Sequence, residues 1–247
     1  YNKGINTALI TGASSGLGRE LVKLYASSCS RIYVTARNID ALKSLKEEVG
    51  SACEIIPIQV DFAEADAADK VAKNIGNRID SIDLLINNAG HHVNASLLNV
   101  DIELIKNTMQ INLYTPIKLI TIFTSAHTIA NIISTTAVMG RRNLGVYSST
   151  KAGMWCFSKA LRRSQGNKIN VIDVIPATFK SSLSDKGDKS SNPANETNSR
   201  SRKRLLSSSN DGLTSETVAM LVKSGIDKRK DSIYIPKLKK KIYIKRF

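Results

Sequence analysis

Short apolar runs rich in β-branched residues alternate with longer amphipathic stretches through the first three-quarters of the chain, and that alternation limits the folds available. Ile5–Ile10, Arg31–Ala36, Glu54–Val60, Ile82–Ile86, Ile129–Ser134 and Ile169–Ile175 read as strands. Leu17–Ser28, Asp40–Val49, Glu64–Ile79, Asp101–Thr124 and Tyr147–Ser164 read as helices between them. Strand and helix in strict alternation predict a parallel sheet with helices on both faces. The strands are apolar almost throughout, as a sheet buried on both sides requires. A length of 247 residues suits one such α/β domain, 1–247.

The pattern breaks after Pro176. Residues 180–212 are rich in Ser, Asn, Asp and Lys and read as a long polar loop, either a functional lid or disordered. Thr214–Ile226 reads as a helix capped by Thr214, and Ser232–Ile235 as a last strand. No apolar run is long enough to span a bilayer, and the first residues lack the regions of a signal peptide. Three widely spaced cysteines, Cys29, Cys53 and Cys156, fit a reducing, cytoplasmic setting better than a disulfide framework or a zinc site.

Charge divides the chain unevenly. The formal net charge is +15, and residues 1–179 hold 19 basic and 14 acidic side chains against 17 and 7 in residues 180–247. A basic last quarter can meet nucleic acid, anionic lipid or nothing. The run Arg200–Arg204 reads as a solvated loop, because no nucleic-acid-binding signature accompanies it. The tail at 237–247 mixes lysines with aromatic and aliphatic residues. Its alternatives are a peripheral contact at a membrane surface and a packed or frayed basic terminus.

Four sites carry chemistry. Thr11-Gly12-Ala13-Ser14-Ser15-Gly16-Leu17-Gly18 joins the first strand to the first helix. Glycines there allow a tight turn and a close approach to a pyrophosphate, and the helix N-terminus offers N–H groups to the anion. Arg37 ends the second strand, where an arginine suits a 2′-phosphate and an acid would suit a 2′-hydroxyl. Tyr147 and Lys151 lie four apart on one helix face, where an ammonium can lower a phenol's pKa for acid–base work near neutrality. Ser134 ends the fifth strand at the sheet edge where open α/β folds bind ligands. His91-His92 reads as a loop or the substrate mouth, and Arg141-Arg142 as a solvated pair bordering the site.

Taken together, these motifs resemble the short-chain dehydrogenase/reductase family from Thr7 to about Ile235, with Asp61, the Asn87-Asn88-Ala89-Gly90 run and Asn112 as further anchors. The resemblance implies a Rossmann-type doubly wound sheet of order 3-2-1-4-5-6-7 and an NADP(H)-dependent oxidoreductase. It implies a small carbonyl or secondary alcohol substrate, in keeping with ketone or aldehyde reduction, and a homodimer or homotetramer through the helices around 102–124 and 147–164. Tyr147 would move the proton, Lys151 would tune it and hold the nicotinamide ribose, Ser134 would orient the substrate oxygen, and Asn112 would hold a relay water. Asp61 would touch the adenine. Gly12, Ser14, Ser15, Gly16, Leu17, Gly18, Asn88, Ala89, Gly90, Pro176 and Ser181 would line the cofactor. No metal is needed.

Some features depart from the family pattern. Pro176-Ala177 stands where Pro-Gly is usual, and an alanine would resist a positive φ. The 112–134 and 165–168 stretches read as short. The alternatives are therefore a nucleotide-binding scaffold of impaired activity and a nucleic-acid-associated protein.

Overall fold

The computed structural model describes residues 4–177 and 213–236. Seven strands form one sheet in the order β3-β2-β1-β4-β5-β6-β7, and every neighbouring pair is parallel. They are β1 (Thr7–Thr11), β2 (Arg31–Ala36), β3 (Glu54–Gln59), β4 (Leu84–Asn87), β5 (Thr128–Ile132), β6 (Asn170–Pro176) and β7 (Ser232–Ile235). The strand order predicted from the resemblance is the one found. Its reversal between β1 and β4 opens a crevice at their carboxyl ends, where such folds bind ligands.

The helices are α1 (Gly16–Tyr25), α2 (Ile39–Val49), α3 (Ala67–Ile75), α4 (Ile102–Met109), α5 (Thr115–Ile122), α6 (Gly145–Gln165) and α7 (Ser215–Asp227). Alternate strand residues feed two cores. Ile10, Ile32 and Val34 pack with Leu21, Leu42 and Val222 on one face. Leu9, Tyr33 and Leu85 pack with Val71, Leu119 and Met154 on the other. Helix starts follow local chemistry: the Asn38 side chain accepts from Ala41 N at 3.1 Å, and Thr214 Oγ1 accepts from Thr217 N at 3.2 Å.

Three expectations need correction. The helix read over 101–124 is broken by a π-helical turn at Gln110–Tyr114, a distortion that frees backbone groups and re-aims side chains at a functional position. The helix read over 64–79 is α3 alone followed by a 3-10 turn at Gly76–Ser81, because Gly76 adopts φ 61° and ends it. Ala177 is not in the left-handed region: the described non-glycine residues with positive φ are Asn143 and Arg229. Its N–H donates to Ile235 O at 2.8 Å, so pairing of β6 with β7 carries through it and no glycine is called for. Ser181, the whole of the polar loop at 180–212 and the tail at 237–247 lie outside the described residues.

Candidate active site

The glycine turn is built by interlock with the loop after β4. Thr11 Oγ1 donates to Ile86 O at 3.3 Å and accepts from the N–H groups of Asn88 and Ala89, each at 3.0 Å. Asn88 Nδ2 returns to Thr11 O at 2.8 Å and Gly12 O at 3.1 Å. Gly12 has φ 68°, and a Cβ there would stand 2.8 Å from Ala89 Cα. A Cβ on Gly18 would stand 2.4 Å from Gly12 O. Glycine is therefore demanded by steric fit on both sides of the turn. Ala13 N donates to Thr35 O at 3.0 Å, tying the turn to β2. Leu17 is buried in the core, so its side chain packs and only its backbone belongs to the turn. Ser15 sits at the N-cap of α1, and the first turn holds no acid. That leaves the helix N-terminus suited to an anion, with Ser14 and Gly16 alongside. These features fit a dinucleotide's pyrophosphate.

Arg37 is exposed just beyond β2 and forms no ion pair among the described residues. Asp61 follows β3, and its Oδ1 accepts from Ala63 N at 3.0 Å. Both act on His91: burial and then the Arg37 charge hold the imidazole below its ordinary value, while Asp61 pulls it up. Arg37, Asp61 and the loop after β4 thus share one corner of the crevice.

The proton-handling groups lie on the other side of that loop. Ser134 leaves β5 extended, and its Oγ accepts from Thr136 N at 3.2 Å and Thr136 Oγ1 at 3.0 Å. Tyr147 and Lys151 come from the first turns of α6, both buried. Lys151 Nζ donates to Ile132 O at 2.7 Å and stands 5.9 Å from the centre of the Tyr147 ring. A Cβ on Gly90 would lie 3.6 Å from Asn112 Oδ1 and 3.7 Å from Lys151 Nζ, so the two motifs converge there.

The expected lowering of the Tyr147 pKa is not found. Burial pushes the phenol up to about 12, with a Ser134 hydrogen bond opposing. Burial also lowers Lys151 to about 8. Desolvation penalises the charged form of each group, and it wins because Lys151 is bonded to a carbonyl rather than to the phenol oxygen.

Asn112 sits in the π turn. Its side chain clamps the backbone of one residue of the loop on both sides, accepting from His91 N at 2.7 Å and donating to His91 O at 2.8 Å, and it also donates to Thr150 Oγ1 at 3.1 Å. Thr150 in turn donates to Tyr147 O at 2.7 Å. Two residues were missed by sequence reasoning: Thr11, a hydroxyl at the strand end that opens the glycine turn, and Thr150, a hydroxyl between Tyr147 and Lys151 on the helix. His92, read from the sequence as a loop or mouth position, packs its ring against Tyr147 at 4.9 Å between centroids.

A glycine turn opening a helix at the sheet's switch point, beside a Ser-Tyr-Lys set, defines an α/β protein fitted to an anionic cofactor and to proton transfer at its edge. The model of the short chain dehydrogenase family matches residues 6–192. The chain belongs to that family of oxidoreductases. It is 30% identical over 177 residues to a 3-oxoacyl-[acyl-carrier-protein] reductase of Synechocystis, covering 67% of this chain and 71% of the relative. It is 27% identical over 191 residues to dehydrogenase/reductase SDR family member 7B of Xenopus tropicalis, covering 71% and 62%. The chain spans less than two thirds of the length of several curated relatives, down to 28% for a short chain dehydrogenase of Pseudocercospora fijiensis. Among solved structures, a Burkholderia phymatum short chain dehydrogenase/reductase in complex with NAD superposes with a TM-score of 0.82 at 19% identity, covering 95% of this chain and 90% of that one. A Sphingobium yanoikuyae short-chain dehydrogenase in complex with NADPH gives 0.77 at 20%, covering 93% and 87%.

Proposed function

We propose that the protein transfers a hydride between NADP(H) and a ketone, aldehyde or secondary alcohol. The observation that carries this reading is the convergence of Gly90, Asn112, Lys151 and Tyr147 beside an interlocked glycine turn. When bound, the cofactor supplies or accepts the hydride at its nicotinamide C4. The turn from Gly12 to Gly18 would hold the pyrophosphate, Arg37 the 2′-phosphate, Asp61 the adenine end, and Asn88–Gly90 with Lys151 the riboses. Tyr147 would donate its proton to the carbonyl oxygen while Ser134 orients that oxygen. A phenol held at about 12 keeps its proton through neutral pH, which suits the reductive direction. Asn112 would act by fixing the loop and the start of α6, with a relay water at its backbone.

Arg37 carries the choice of NADP over NAD. Arginine is a planar fork of donors with a permanent charge and can grip two phosphate oxygens together. Charge-assisted bonds at an exposed corner are worth roughly 1.5–3 kcal/mol, so the preference for NADPH should be ~10–100-fold. Arg37→Asp should reverse it, since a carboxylate repels phosphate and accepts from a hydroxyl. The test is NADPH and NADH oxidation over a panel of ketones and aldehydes, with kcat/KM for parent and variant. A parent that prefers NADH would remove the NADP assignment while leaving the hydride-transfer reading in place.

A further inference from the structure

Two loops leave the active site and meet again outside it. One follows His92, whose ring lies on Tyr147; the other follows Ser134. Ala95 N donates to Asn143 O at 2.9 Å and joins them. Leu97 packs against Gly145, where an added Cβ would come within 2.6 Å of Leu97 Cδ2. Together the loops expose Leu97 at 51%, Leu98 at 95%, Val138 at 60% and Met139 at 62%, half of the large apolar side chains exposed among the described residues. Within residues 91–100 and 134–146 the charged side chains are Arg141 and Arg142, and no acid occurs. Both arginines are exposed and form no ion pair among the described residues.

We propose that these loops form a lip that seats the protein on an anionic phospholipid surface, with the mouth of its active site toward the bilayer. Exposed apolar side chains edged by uncompensated cations have the composition of an interfacial surface. The chain's net charge of +15 favours approach to an anionic face. A side chain exposed as fully as Leu98 reaches into solvent rather than lining a cleft for substrate. A second copy is a poorer occupant, because a two-fold contact over these loops would bring four arginines into one interface with no acid from the loops to meet them.

The test is co-sedimentation of the full chain with vesicles of phosphatidylglycerol and phosphatidylcholine, and of phosphatidylcholine alone, at near-physiological salt. The parent should bind the anionic vesicles preferentially. Leu98→Asn with Met139→Asn should lower partitioning by about 100-fold, roughly tenfold for each apolar side chain withdrawn from the interface. Arg141→Gln and Arg142→Gln should each lower it roughly fivefold. All variants should melt like the parent, since the altered side chains are exposed, so the vesicle result stands whether or not the hydride-transfer reading does. A double variant that sediments like the parent would overturn the proposal and leave the tail as the membrane contact. Failure of the parent to bind would overturn it too. So would a double variant that keeps vesicle binding but loses self-association or turnover of long-chain ketones, which would make the lip a copy interface or a substrate wall.

Discussion

The two sides of the crevice are built on opposite principles. Around the glycine turn the fit is one of shape: backbone runs against backbone, and Thr11 and Asn88 stitch β1 to the loop after β4. Around Tyr147 the fit is one of charge: two ionisable side chains are buried together, and burial shifts both. The first side is closed to side chains by its own backbone. The second stores unfavourable solvation in two ionisable groups.

If that contrast holds, the largest effect belongs to the charged side. Tyr147→Phe removes one oxygen and keeps the ring that packs on His92. Turnover should fall by ~10²–10⁴-fold, the range for losing a positioned proton donor. Cofactor affinity, governed by the other side, should barely change in a fluorescence titration. A variant that turns over like the parent would break the comparison at its centre.

The next effect is on stability and depends on pH. An unfolded lysine titrates near 10.5, and burial lowers Lys151 to about 8. Between those values the unfolded chain binds more protons than the folded one, so stability rises with pH across that window. Below about 8 the folded protein bears the full penalty, about 3 kcal/mol, and above 10.5 it bears none. Lys151→Met should therefore gain stability relative to the parent at pH 7, and the gap should close by pH 10.5. Urea melts of both proteins at the two pH values measure it. A gap independent of pH would mean that the carbonyl of Ile132 keeps Lys151 charged inside the fold.

The same contrast explains what could be read from the sequence. The glycine turn is local, so its residues announce it, and Tyr147 and Lys151 are one helical turn apart. The alternation of strands and helices gave the sheet order once the family resemblance was drawn. The π turn at Gln110–Tyr114 was not legible, because it is set by packing against α6 and by the bonds of Asn112 to His91, residues distant in sequence. The direction of the Tyr147 shift failed for a related reason. Sequence shows a lysine four residues away, but not that its ammonium is bonded to Ile132. The doubt over Ala177 assumed a backbone conformation that only the pairing of β6 with β7 could decide.

The smallest effect separates a glycine of the shape side, Gly18, from one that faces the charged side, Gly90. Gly18 lies inside α1, and replacing a helical glycine with alanine ordinarily stabilises by about 0.5–1 kcal/mol. Here the new Cβ would stand 2.4 Å from Gly12 O and 2.5 Å from Asn88 Nδ2. The first of these is backbone, fixed by the interlock, so the helix must move away from the turn. Overpacking of this kind costs about 1–3 kcal/mol, which exceeds the helix gain. Gly18→Ala should therefore destabilise by about 1–2 kcal/mol and weaken cofactor binding with it. Gly90→Ala offers the control. Its Cβ would meet Asn112 Oδ1 and Lys151 Nζ at 3.6 and 3.7 Å, ordinary contact, and its φ is not positive. That variant should melt within about 0.5 kcal/mol of the parent. Denaturant midpoints for the pair decide the matter. Equal losses at both glycines would show that the two sides are held by one kind of packing, and equal tolerance would show that the glycine turn yields where the contacts say it cannot.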